Sequence, residues 1–120
     1  MSLQMFHLAT NAVRIDDTHY GALFHGRIVG PAPLYHVKFF IFPYLFEHKH
    51  PWRITAIGNT PMTMPVPEGH YVDEHSMIYA CGLKYVDGRL VVLYSVDDQT
   101  ASFFVTSVED VFANMDQVQL

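Results

Sequence analysis

The sequence predicts an all-β protein made of two antiparallel, blade-like units and closed by one short helix. Three observations carry this reading. From Ile78 to Val105 run three apolar stretches, broken first by Asp87-Gly88, a dipeptide that supplies the positive φ angles of a tight hairpin, and then by Asp97-Asp98. An offset of seventy residues lays 12–26 (AVRIDDTHYGALFHG) on 82–96 (GLKYVDGRLVVLYSV) without a gap, matching Val13 to Leu83, Asp17 to Asp87, Leu23 to Leu93 and Phe24 to Tyr94. Between the two stretches lies a segment too rich in proline for a helix, at 61–76.

The first unit spans 11–60. It opens with a hairpin whose turn carries an aspartate, then an aromatic strand at 34–47, a charged turn around His48-Lys49-His50-Pro51, and a strand at 52–59. Pro43 lacks an N–H to give to a ladder and is expected to interrupt or end the pairing of its strand. The second unit spans 77–106 and repeats hairpin plus strand. Within it Leu90, Val92 and Tyr94 alternate with Val91, Leu93 and Ser95, so both faces of the middle strand are largely apolar and both are expected to be covered. At 107–115 Ser107 stands three residues before Asp110, as in a capping box, and Val108, Val111, Phe112 and Met115 fall on one helical face.

Composition excludes several classes. With 120 residues, 50% of them hydrophobic and 16% charged, the chain reads as one ordered unit with a core of its own. A net charge of −5 with seven scattered Lys and Arg opposes nucleic-acid binding. The opening MSLQMFHLATNAV has neither the basic stretch nor the apolar run of an export signal, and no apolar run reaches membrane length, so the chain is expected to be soluble and cytoplasmic. Cys81, the one cysteine, fits a reducing compartment and reads as a small buried hydrophobe. His48 with His50, or His70 with Asp73 and His75, fall short of the four ligands a structural zinc site needs, and no metal or cofactor is expected.

Four motifs follow one another in fixed order: LFHG (23–26), HPWRITAIGNTPM (50–62), YACGL (79–83) and LYSVDD (93–98). Their succession, from about Asn11 to Met115, resembles the C-terminal blades of five-bladed β-propeller proteins of the β-mannoside phosphorylase group, and of propeller domains found near glycosyltransferases. Ser95 and Ala80 stand where that group has glycine and proline. The resemblance implies a partial propeller, a carbohydrate ligand, and a parent protein acting on glycosidic bonds as a phosphorylase or hydrolase, with inorganic phosphate as co-substrate in phosphorolysis. It places Asp98 toward the sugar and His25 near phosphate.

The residue chemistry agrees with those roles. A carboxylate accepts paired hydrogen bonds from adjacent hydroxyls, and imidazole can donate to an anion or move a proton near neutrality. Asp97 shares the turn, Arg27 adds positive charge two residues after His25, and Tyr94 and Tyr79 could border a sugar. Each has a plainer alternative: a solvated turn, a histidine bonded at a strand end, an exposed arginine, a tyrosine core. Asp97 and Asp98 are adjacent and point apart, so acid–base work would need a partner such as Asp73 or Glu74. The group's catalytic acid and most of its phosphate-binding residues lie in N-terminal blades without counterpart in this sequence, so no catalytic residue is assigned and the isolated chain is expected to be inactive. Two units also leave sheet faces and edges uncovered, to be met by missing blades or by further copies in a homo-oligomer. A non-catalytic module that binds sugar or serves self-assembly is the alternative.

Overall fold

The computed structural model describes residues 3–29, 37–66 and 77–118. The elements are β1 (Leu3–Leu8), β2 (Val13–Arg14), β3 (His19–Val29), β4 (Val37–Glu47), β5 (Ile54–Gly58), β6 (Ile78–Val86), β7 (Arg89–Val96), β8 (Thr100–Ser107), α1 (Val108–Val111) and β9 (Met115–Gln117). They form two antiparallel sheets, one six-stranded in the order β1-β3-β4-β5-β9 with β2 also on β3, the other three-stranded in the order β6-β7-β8. The protein is all-β.

The hairpin read from Asp87-Gly88 forms as a two-residue turn, with φ of 49° at Asp87 and 79° at Gly88 and Val86 opposite Arg89. Its counterpart in the first unit uses different chemistry. There the Asp16 carboxylate accepts from the N–H groups of Thr18 and His19, both at 2.8 Å, so a side chain organises the bend in place of positive φ angles.

The core lies between the sheets. Leu23 and Ile41 of the larger sheet meet Ala80, Leu83, Leu90, Val92, Tyr94 and Val96 of the smaller, with Met64 and Val111 added at the margins. Backbone groups at the bulged edge of β6 are met by side chains from the first unit. Asn11 donates from Nδ2 to the Leu83 carbonyl at 2.9 Å and accepts at Oδ1 from the Leu83 N–H at 3.0 Å, while His25 Nε2 accepts from the Ala80 N–H at 3.0 Å. These bonds supply what a neighbouring strand would otherwise provide.

Four expectations need correction. First, β4 runs through Pro43, which pairs with Leu23 in an unbroken β3–β4 register. The ring is tolerated because it faces the other neighbour, where β4–β5 pairing begins only at Tyr44; a Cβ built on Gly58 would lie 2.5 Å from Pro43 Cδ. Second, β7 is covered on one face only. Leu90, Val92 and Val96 are fully buried, whereas Leu93, Phe103 and Val105 on the outer face are 46%, 63% and 49% exposed, because one sheet cannot cover both sides of another. Third, Cys81 is exposed: it occupies the extra position of the bulge between Ala80 and Gly82 and turns out of the core.

Fourth, the helix is a single turn. Ser107 caps it as read, its Oγ accepting from the Asp110 N–H at 3.0 Å, and Val111 is buried. The chain then leaves the helix at Phe112, and Met115 joins β9, which pairs with β5 through Ile57 and Asp116. Backbone pairing with an open sheet edge thus displaces a further helical turn. β1 and β9 both lie outside the two units read from sequence, and together they extend the larger sheet at its two ends.

Candidate functional site

Asp97 and Asp98 form the turn between β7 and β8. Both take left-handed φ, 53° and 55°, and the Gln99 N–H donates to the Val96 carbonyl at 3.0 Å. Aspartate tolerates this conformation better than most residues, so the turn itself accounts for part of the acidic pair. Asp97 also anchors the chain entering β6. Its Oδ1 accepts from the Met77 N–H at 2.6 Å, and its own N–H donates to the Met77 carbonyl at 2.7 Å. Asp98 is exposed.

Tyr79 completes the acidic end of the small sheet. Its hydroxyl donates to Met77 Sδ at 3.1 Å, and its pKa is raised, first by burial and then by the charges of Asp98 and Asp97. The carboxylates therefore lie close enough to disfavour a phenolate there. Behind it the His25 ring meets Tyr79 edge-on at 5.5 Å, buried at 7% exposure. Because Nε2 accepts from Ala80, it carries the lone pair, and a neutral His25 bears its proton on Nδ1.

The remaining sequence-derived residues divide. Tyr94 sits in the core at 2% exposure, donating its hydroxyl to the Pro65 carbonyl and meeting the Phe104 ring at 71°; its phenol is committed to packing. Arg27 lies on β3 opposite Met5 and Phe39, and its side chain falls outside the described residues. So do Asp73 and Glu74, the expected second carboxyls, and His70 and His75. The structure thus gathers Asp97, Asp98, Tyr79 and His25 at one end and leaves Tyr94 inside. The reciprocal tie of Asp97 to the Met77 backbone had no sequence signal, since Met77 carries no feature that marks it.

What this arrangement can do is accept hydrogen bonds beside an aromatic ring. Among the described residues no group of three or more His, Cys, Asp or Glu converges as a metal site would require. Among them, too, no helix is long and apolar enough to cross a membrane. No family model, no curated protein and no solved structure matches the chain.

Proposed function

We propose that this chain is a blade-pair portion of a carbohydrate-active β-propeller whose parent acts on glycosidic bonds, and that its acidic turn binds sugar. The observation that carries the reading is geometric: the exposed Asp98 shares its left-handed turn with Asp97, whose carboxylate accepts from the Met77 N–H, and the Tyr79 hydroxyl donates to the Sδ of the same Met77. Asp98 accepts from neighbouring hydroxyls, Asp97 holds the turn, and Tyr79 offers an aromatic border with a hydroxyl at its tip. Bond cleavage itself, by water or by inorganic phosphate, requires a second carboxyl set across the scissile bond, whereas Asp97 is adjacent to Asp98 and accepts from the Met77 N–H.

The test is calorimetric titration of the native protein with β-1,4-linked mannotriose. A hydrogen bond to a charged group contributes about 1.5–3 kcal/mol, so Asp98→Asn should weaken binding by about 10- to 100-fold. Equal affinity in the variant would sink the assignment.

A second reading, a self-assembling β module, is favoured by a different observation: the outer face of the small sheet leaves Leu93, Phe103 and Val105 in water. A contiguous apolar face of this kind is what an adjoining sheet would cover, from the same polypeptide or from another copy. Light scattering at micromolar concentration decides it, and a monomer there removes this alternative.

A further inference from the structure

Trp52, the one tryptophan of the chain, is 55% exposed and holds a left-handed backbone with φ of 54°. Both features cost free energy. A bulky side chain is a true outlier at positive φ, and an indole left in water forgoes its burial. The surrounding turn over-determines the conformation: the Trp52 N–H donates to the Lys49 carbonyl at 2.8 Å, the Glu47 N–H to the Arg53 carbonyl at 2.9 Å, and the His48 N–H to the Thr18 carbonyl at 3.0 Å. Strain that is held in place while the side chain faces solvent points to a use outside the chain's own packing.

The neighbours define that use. The His50 ring meets the indole at 73° with centroids 5.0 Å apart, an edge contact that steadies the indole while leaving more than half of Trp52 accessible. Lys49, His50 and Arg53 are exposed beside it and bear hydrogen-bond donors. An apolar plate rimmed by donors matches a pyranose ring, which has a C–H face and a rim of hydroxyls. A wholly apolar partner would desolvate the donors for no return, and the net charge of −5 opposes a polyanion. The turn is also remote from the acidic end. It adjoins the end of β3 where His19 pairs with Glu47, six residues from His25, or about 20 Å along a strand.

We infer that the Trp52 turn is a second carbohydrate-contact site, a stacking platform for one ring of a glycan, distinct from the Asp97-Asp98 end. The inference rests on the carbohydrate reading above, and its test separates the two. Since Trp52 is the only tryptophan, its emission reports on this site alone. Titration with β-1,4-linked mannotriose and with cellotriose should shift or quench that emission saturably, and the response should persist in Asp98→Asn. Trp52→Gly adopts the positive φ without strain, so it should keep or raise the Tm while weakening trisaccharide binding at least about tenfold by calorimetry. Trp52→Phe should retain most of the affinity. Calorimetric binding with unchanged emission overturns this inference and leaves the acidic-turn reading standing. Absence of saccharide binding by both readouts, or an emission response to a proline-rich peptide and to neither trisaccharide, overturns it as well.

Discussion

Both faces of the β6–β7–β8 sheet carry large apolar side chains, in opposite circumstances. Inward lie Leu90, Val92, Tyr94 and Val96, none more than 2% exposed; outward lie Leu93, Phe103 and Val105, none less than 46% exposed. Alternation along one strand therefore decides which side chains stabilise the fold and which remain available for contact. Apolar composition shows that a surface prefers cover, and only the neighbouring sheet decides whether it has any. Hydrophobic side chains here stabilise the fold on one face and stay available for contact on the other.

The largest effect expected from breaking this asymmetry is on the inward face. Leu90→Ala removes a fully buried side chain from the inter-sheet core and should lower the unfolding free energy by about 2–5 kcal/mol, measured by denaturant titration. A loss below about 1 kcal/mol would mean that the two sheets do not close on one another around Leu90.

Next comes the place where the larger sheet accommodates a proline. Gly58→Ala would set a methyl group 2.5 Å from Pro43 Cδ and 2.8 Å from Cγ, against a ring that cannot rotate away. Overpacking of this kind should cost about 1–3 kcal/mol, and the same denaturant curves report it. A neutral substitution would show that β5 can slide along β4, contrary to the Tyr44–Ile57 register.

How far these features could be read beforehand follows from what fixes them. The Asp87-Gly88 hairpin and the Ser107 cap were legible because local chemistry dictates them: a dipeptide suited to positive φ, and a hydroxyl three residues before an N–H that needs an acceptor. The continuity of β4 through Pro43 was not, because it depends on which neighbouring strand the ring faces, a tertiary fact. For the same reason the sequence places Met115 at the end of a helix: Val108, Val111 and Phe112 satisfy the helical period, and the competing pairing of Met115 with Gly58 lies fifty-seven residues away in sequence. At the acidic end Asp97 and Asp98 were marked by the turn, whereas their grouping with Tyr79 and His25 required the two sheets to be brought together. The sequence places Trp52 at the start of a strand, and its exposed, left-handed position in the turn before Ile54 is set by the fold.

A smaller effect separates packing from hydrogen bonding within the inward face. Tyr94→Phe keeps the ring against Phe104 and removes only the bond to the Pro65 carbonyl, which tethers the connector to the small sheet. Because Pro65 is exposed, water can replace the lost donor, so the cost should stay near 1 kcal/mol. Thermal unfolding would show it as a fall in Tm of a few degrees. A much larger loss would mean that the hydroxyl, more than the ring, fixes Tyr94 in the core.

The smallest stability effect belongs to the outward face, and it is there that the comparison is decided. Phe103→Ser removes the most exposed aromatic of that face, at 63% exposure, so in an isolated monomer the unfolding free energy should change by no more than about 0.5 kcal/mol. Light scattering should nevertheless change wherever this face meets another sheet, because the substitution leaves a gap and a hydroxyl at the centre of the contact, beside Leu93 across the strand pair. Stability unchanged and association weakened is the outcome that the two-role reading requires. A marked loss of stability with no change in mass would instead mean that the outer face is already packed within the chain, and the division of labour between the two faces would fail.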